Sequence, residues 1–303
     1  PAHAQPAPQS SPALASAPGA PATPPATSPE PAQAAESGTP CGALGCLAFS
    51  TPLSAFEHVL AEKPRVLALG EAHAQREKDA RVHSATRRFG EELLPKLRGR
   101  ASDIVIELMI ANGRCGQKRE QAVAERQQPV SAGQAKSNQN EFVTLGRAAK
   151  QAGIEPHPLE PTCDEYQAVL ESGSGDIARL LELIANATAR GVEALLDAAG
   201  SDPNKMLLTY GGALHNDLSP PPERASWSFG PRLFKRTAGH YVELDLIVPE
   251  FIKDSDSWRA LPWYSQYDAE KLGKQAVLYQ TAPASFALIF PRTALSAPAP
   301  AAH

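Results

Sequence analysis

The chain has no apolar run long enough to cross a membrane, although it contains 303 residues. A transmembrane helix needs about 20 consecutive apolar residues, whereas the longest apolar stretches here, such as residues 104–106 and 286–290, have the length of strands. The chain also lacks a large excess of either charge, because its formal net charge is −4. This balance gives no reason to expect nucleic acid or an anionic membrane surface as a partner.

Cysteine is scarce, and the arrangement of the four cysteines disfavours a structural zinc site because no CxxC pair occurs. An even number of cysteines weakly supports an oxidising compartment. Of the three pairings that four cysteines allow, we expect first Cys41 with Cys46 and Cys115 with Cys163. Free thiols are the alternative.

The first forty residues consist almost entirely of Ala, Pro, Ser, Thr, Gln and Gly, which offer too little apolar surface to offset the entropy of ordering. We therefore predict a disordered Pro/Ala-rich tether over residues 1–45 and a shorter disordered tail over residues 297–303. The chain starts at Pro1 rather than at Met, and a tether after a removed signal peptide is typical of an exported or lipid-anchored bacterial protein. The expected location is the periplasm, the outer membrane or the cell surface, with membrane contact only through a lipid anchor upstream of residue 1. The alternative is a chain cut at an arbitrary place.

The part between these ends alternates between strand and helix patterns. The apolar patterns predict strands at residues 65–69, 103–109, 154–159, 205–210, 241–248 and 285–290, and helices at residues 53–60, 76–97, 142–152 and 164–199. This alternation predicts an α/β domain over residues 46–296 with a mainly parallel central sheet flanked by helices, and a smaller helical insertion at about 164–204. Pro156 and Pro158 favour an edge position for the third strand. The polar and apolar alternation of residues 241–248 predicts a half-exposed strand.

Polar side chains follow several of the predicted strands at the same end. They are Glu71 and His73 after the first strand, Glu107 at the end of the second, and His215 after the strand at residues 205–210. In sheets of this class, ligands bind beyond the carboxyl ends of the strands. Both histidines stand three residues after a glycine, which we expect to turn the backbone sharply.

Two neutral imidazoles and a carboxylate form a site suited to Mn, Fe, Co or Zn, with open positions for water. We therefore predict a divalent metal on His73, His215 and Glu107, with the remaining glutamate as general base. Other interpretations compete with this one. Glu71 could serve only to stabilise the N-terminus of the following helix through its negative charge. His73 could be an ordinary surface histidine, and His83 could be a half-buried histidine with a structural role.

The segment LALGEAH, the later His83, the glutamate at a strand end and the late YGGALH resemble the ChaN-like group, within the superfamily that also holds TIKI/TraB proteins and erythromycin esterases. TIKI proteins are similar in carrying two G-x-x-H motifs, and Glu71 resembles the G-E-x-H version of ChaN and the esterases. The resemblance covers about residues 64–218 and implies a sheet flanked by helices with a helical insertion. It also implies a polar centre of Glu71, His73, Glu107 and His215. The chain departs from the pattern after His215, where Asn-Asp-Leu-Ser-Pro replaces a glycine-containing continuation.

Three functions follow as hypotheses. The leading one is a cell-envelope hydrolase of an ester, lactone or amide in a small-molecule or peptide substrate, metal-assisted or with His73 as a metal-free base. The second is an envelope protein that binds haem or iron, with Tyr210 and His215 as candidate axial ligands, Tyr241 or Tyr279 as alternatives, and His83 as a further cofactor contact. The third is a non-catalytic surface module.

Overall fold

The computed structural model describes residues 36–75, 81–131, 133–173, 176–198 and 202–294. The strands are β1 Thr39–Pro40, β2 Leu47–Phe49, β3 Val66–Glu71, β4 Ala101–Met109, β5 Glu155–Leu159, β6 Met206–Gly212, β7 Tyr241–Ile247, β8 Ala276–Ala282 and β9 Ser285–Ile289. The α-helices are α1 Pro52–Leu60, α2 Ala85–Arg88, α3 Gln117–Ser131, α4 Asn138–Gln151, α5 Cys163–Glu171, α6 Ala178–Asp197, α7 Gly230–Arg236, α8 Asp256–Arg259 and α9 Ala269–Leu272.

The nine strands form one sheet in the order β1-β2-β8-β9-β7-β3-β6-β4-β5. The six strands from β9 to β5 are parallel to their neighbours, whereas β1, β2 and β8 are added in antiparallel pairs at the other side. The predicted α/β class with a mainly parallel sheet flanked by helices is confirmed. The predicted edge position of β5 is also confirmed, and its prolines fit there because they cannot donate to a second neighbour.

Helices cover both faces of the sheet, so alternate residues of the central strands enter different cores. On one face, Phe56 of α1 and Phe142 of α4 pack with Leu67 and Leu69 of β3. On the other face, α6 and α7 pack against residues such as Val66. Further along that second face, Trp263 covers the end formed by β8 and β9. At the level of the fold, each central strand therefore carries side chains to two separately packed layers.

Several predicted boundaries differ from the structure. The helix predicted from residue 76 has Ala85 as its first described helical residue, where the Ser84 hydroxyl accepts from the amide of Arg87. It continues through a π-helical turn, Phe89–Leu93, and a 3₁₀ turn, Leu94–Leu97. Helix α1 begins one residue before the predicted position 53, and its N-cap is Thr51, whose hydroxyl accepts a hydrogen bond from the Ser54 amide.

Two further predictions need correction. Strand β7 is almost wholly buried rather than half-exposed, because it lies between β9 and β3 under helices on both sides. The domain begins before the predicted boundary at residue 46, since β1 at Thr39–Pro40 pairs with β2. Residues 1–35 of the predicted tether and the tail at 297–303 lie outside the described residues.

Both expected disulfides are present, joining Cys41 to Cys46 and Cys115 to Cys163. The second bridge connects the segment before α3 to the first residue of α5. It thereby holds the predicted helical insertion, which consists of α5 and α6, against the part of the chain that follows β4. Among the helices in the described ranges, none is both long and apolar enough to cross a bilayer.

Candidate functional site

The four polar residues predicted at the strand ends meet around Gly212, the last residue of β6. A methyl group on Gly212 would lie 3.2 Å from His73 Nε2, 3.6 Å from Glu107 Oε2 and 3.7 Å from His215 Cδ2. Glu71 lies directly behind His73, since its Oε1 is 2.9 Å from His73 Nδ1. Parallel pairing explains the convergence, because Glu71 of β3 is in register with Gly212 of β6.

Glu71 is a buried carboxylate with a full set of donors. It is 2% exposed, and its Oε2 accepts from the hydroxyls of Thr86 at 2.6 Å and Tyr210 at 2.8 Å. Its Oε1 faces Nδ1 of His73. This arrangement fixes the imidazole so that Nδ1 carries a proton toward Glu71 and Nε2 is directed to the space beside Gly212.

The electrostatics of this pair favour its charged forms. Burial raises the pKa of Glu71, but the hydrogen bonds from His73, Thr86 and Tyr210 and the charge of His73 outweigh burial, so that the pKa is lowered. Burial lowers the pKa of His73, but the hydrogen bond to Glu71 and the charges of Glu71 and Glu107 raise it above its usual value. A histidine with a raised pKa beside an ionised carboxylate is a suitable acid–base group.

Glu107 and His215 form a second pair on the other side of Gly212. Glu107 Oε2 accepts from the Gly212 amide at 2.6 Å, and its Oε1 lies 4.0 Å from His215 Nε2. His215 is 4% exposed, and its Nδ1 lies 2.7 Å from the Trp227 carbonyl, to which it donates. Both histidines therefore have Nδ1 engaged, and their rings lie beside Gly212 through Nε2 of His73 and Cδ2 of His215.

The glycines of the two G-x-x-H segments are Gly70 and Gly212, and they play different roles. Strand β3 continues through Gly70, where a methyl group would lie 2.5 Å from Asp245 Oδ1. The expected sharp turn is thus wrong at Gly70, where glycine is needed because an acidic side chain occupies the space of a Cβ. Gly212 is the last residue of β6, and a turn follows it, in which the His215 amide donates to the Gly212 carbonyl at 3.0 Å. The preceding Gly211 also leaves room for an acidic side chain, since a methyl group there would lie 2.9 Å from Glu107 Cβ.

The polar centre opens into a cleft of about 900 Å³, within the usual size of small-molecule sites. Apolar side chains of α6, of α8 and of the segment after α8 form much of its wall, including Leu181, Ile184, Trp258 and Trp263. Leu214 also lines the cleft and is 47% exposed. The cleft can therefore bury an organic molecule next to the acid–base groups.

Sequence reasoning missed two acidic residues of the cleft, Glu243 and Asp245 of β7. Burial, followed by the neighbouring charge of Asp245, raises the pKa of Glu243 to about 8. Burial also raises the pKa of Asp245 to about 7, against a hydrogen bond from Asn216. The sequence pattern that could have indicated them is the alternation Y-V-E-L-D-L-I-V. We interpreted its acidic residues as facing solvent, whereas they face the cleft.

Two predicted cofactor contacts do not lie in the cleft. Tyr210 is buried within the core, where its ring stacks on Phe89 and its hydroxyl donates to Glu71. It is therefore not available as an axial haem ligand. His83 precedes α2, is paired with Glu91 at 3.6 Å and does not line the cleft. Tyr241 is likewise engaged, because its hydroxyl donates to the carbonyl of Asn216.

The donors predicted for a metal lie near one another without forming an assembled coordination site. In the described part of the chain, no group of three or more His, Cys, Asp or Glu residues is close enough to hold an ion. His73, His215 and Glu107 have suitable donor types, and both imidazoles are oriented through Nδ1 as metal-binding histidines are. Their side chains would have to move together to coordinate one ion.

Comparison with known proteins adds little to this description. No family model and no curated protein matches the chain. Among solved structures, the type III effector HopBA1 is similar over 80% of this chain and 94% of its own, with 11% identity and a TM-score of 0.38. Such a similarity is too low to support an argument about fold or function.

Proposed function

We propose that this protein is a hydrolase of esters, lactones or amides, with His73 as general base. The observation that carries the proposal is the chain of contacts from Tyr210 and Thr86 through buried Glu71 to His73, beside a cleft of about 900 Å³. A base oriented by a carboxylate, which is itself held by further donors, is the arrangement used to activate water or a hydroxyl group.

In the proposed reaction, neutral His73 takes a proton from water through Nε2 while Glu71 holds Nδ1–H and stabilises the resulting imidazolium. The water oxygen attacks the substrate carbonyl near Gly212. We assign to His215 the donation of a proton to the leaving oxygen or nitrogen as its bond to the carbonyl carbon breaks, because the His215 ring lies beside Gly212 on the side opposite His73, with Cδ2 3.7 Å from the position of a methyl group there.

The first test compares His73→Ala with His83→Ala on a panel of aryl esters, lactones and anilides. General base catalysis contributes about 10²- to 10⁴-fold, so His73→Ala should lower kcat/KM by that factor. His83→Ala removes a histidine outside the cleft and should leave kcat/KM unchanged. Equal losses in both variants, or hydrolysis that does not depend on His73, would contradict the proposal.

The metal-assisted form of this hydrolase remains the alternative, supported by the donor types and by the resemblance to the ChaN-like group. In that form His73, His215 and Glu107 would hold a divalent ion that supplies Lewis-acid chemistry. Dialysis against a chelator separates the two forms. If His73 acts as a metal-free base, activity is retained after dialysis, and added Mn, Fe, Co or Zn does not increase it.

We further propose that the enzyme works in the cell envelope on a small-molecule or peptide substrate. The two disulfides are compatible with an oxidising compartment. Protease accessibility of the protein in intact cells, before and after permeabilisation, tests the location.

A further inference from the structure

A small internal void lies directly below the polar centre, between β6 and the segment that carries His215. Its volume is about 10 Å³, close to the lower limit for one water molecule. The lining includes Thr209, Asn216, Glu107, His215 and Thr188. The void is therefore small, polar and adjacent to one of the two acid–base pairs.

Two of the lining side chains have a polar atom without a partner. Thr209 and Asn216 are each 1% exposed, and neither Thr209 Oγ1 nor Asn216 Oδ1 makes a hydrogen bond within the described part of the chain. Buried polar atoms almost always have a partner, either in the protein or in ordered water. Two such atoms at one void indicate a common partner.

The orientation of the Asn216 amide is determined by its other contacts. Its Nδ2 donates to the Ala68 carbonyl at 3.3 Å and to Asp245 Oδ1 at 3.1 Å. A flipped amide would bring Oδ1 against the Ala68 carbonyl, which can only accept. Asn216 Oδ1 is thus the atom that needs a donor, and Thr209 offers a hydroxyl that needs an acceptor.

We propose that this void binds one water molecule that joins Thr209 to Asn216. The water accepts from the Thr209 hydroxyl and donates one proton to Asn216 Oδ1. Its second proton is directed to the carboxylate of Glu107, which also lines the void. The water thereby ties the loop that carries His215 to β6, and only the link to Glu107 rests on the proposed function.

The test uses the pair Thr209→Val and Thr209→Ser in thermal unfolding of the full chain. Valine keeps the shape of threonine but removes the hydroxyl, so the bridge loses one hydrogen bond. We expect Thr209→Val to melt about 2–4 °C lower than wild type, which is the decrease in melting temperature that the loss of one buried hydrogen bond causes in a domain of this length. Thr209→Ser keeps the hydroxyl and should melt closer to the wild-type temperature than Thr209→Val.

The sign of the Thr209→Val effect decides the proposal. If the void is dry, valine removes an unsatisfied hydroxyl, and the variant melts at the wild-type temperature or above it. A high-resolution crystal structure should contain density for one water in wild type and none in Thr209→Val. An empty void in the wild type overturns the proposal. Neither measurement uses enzymatic activity, so the water proposal can fail or hold independently of the hydrolase proposal.

Discussion

Substitution of Tyr210 by phenylalanine tests the buried support of the proposed base. The Tyr210 hydroxyl donates to Glu71 Oε2 at 2.8 Å, and both residues are at most 2% exposed. A hydrogen bond to a charged group contributes about 1.5–3 kcal/mol, and water cannot replace it at a buried carboxylate. We therefore expect Tyr210→Phe to lower the free energy of unfolding by about that amount.

The same substitution should change the pKa values of the dyad. Loss of one donor raises the pKa of Glu71, because that hydrogen bond helps to lower it. The carboxylate is ionised near neutral pH, so the loss of stability should be largest there and should shrink as acid protonates Glu71. Urea unfolding at several pH values measures both effects.

Tyr279→Phe is the matched control. Tyr279 is also fully buried, but its hydroxyl has no hydrogen-bond partner among the described residues. Its removal should cost about 1 kcal/mol or less, because a neutral hydroxyl that is bonded at most to water contributes less than one that donates to a charged carboxylate. The reasoning is refuted if Tyr210→Phe is as stable as wild type, or if the two variants lose equal stability.

Three further predictions follow from the site and the cross-links. Gly211→Ala should displace Glu107 and abolish most hydrolysis, measured as kcat/KM. Gly146→Ala is the control, because its methyl group would lie 3.5 Å from the nearest side-chain atom; it should stabilise α4 by about 0.5–1 kcal/mol, measured by urea unfolding. The folded-state pKa values of Glu243 and Asp245 are raised to about 8 and 7 from 4.5 and 3.8, so the folded chain binds more protons at these two groups in this interval. Their contribution to stability should be full below about pH 4 and be lost as the pH rises to about 8, and Glu243→Gln should flatten that slope in pH-dependent unfolding. Replacing both cysteines of the Cys115–Cys163 disulfide, which spans 48 residues, by alanine should lower the free energy of unfolding by about 4 kcal/mol, and the same change at Cys41–Cys46, which spans 5 residues, by about 2 kcal/mol. Equal losses in the two double-alanine variants would contradict the loop-entropy argument.

The sequence predicted the parallel part of the sheet well because its strands are continuous apolar runs. Strands β3, β6 and β9 are almost wholly buried, and β4 is buried at its centre, which produces such runs. Strand β8 was missed, although its residues are largely buried. It pairs antiparallel with β9 across a two-residue turn, and the short spacing hid the first strand of the hairpin.

The site was predicted in part, for a topological reason. Glu71, His73, Glu107 and His215 follow parallel strands, whose carboxyl ends meet at one edge whatever the details of packing. The role of Tyr210 could not be predicted, because side-chain direction decides whether it faces the cleft or the core. Spacing within a metal's coordination sphere could not be predicted either, since it depends on differences of about 1 Å or less.

The alternation of side chains across the sheet has a consequence for engineering. Glu71 is supported by α2 and the aromatic layer around Tyr210, whereas Glu107 and the cleft wall belong to the layer of α6. Libraries confined to Leu180, Leu181 and Ile184 would remodel the substrate wall without touching any residue that holds the imidazole of His73. For the proposed hydrolase, selectivity and proton transfer would thus be two separately adjustable properties of this scaffold.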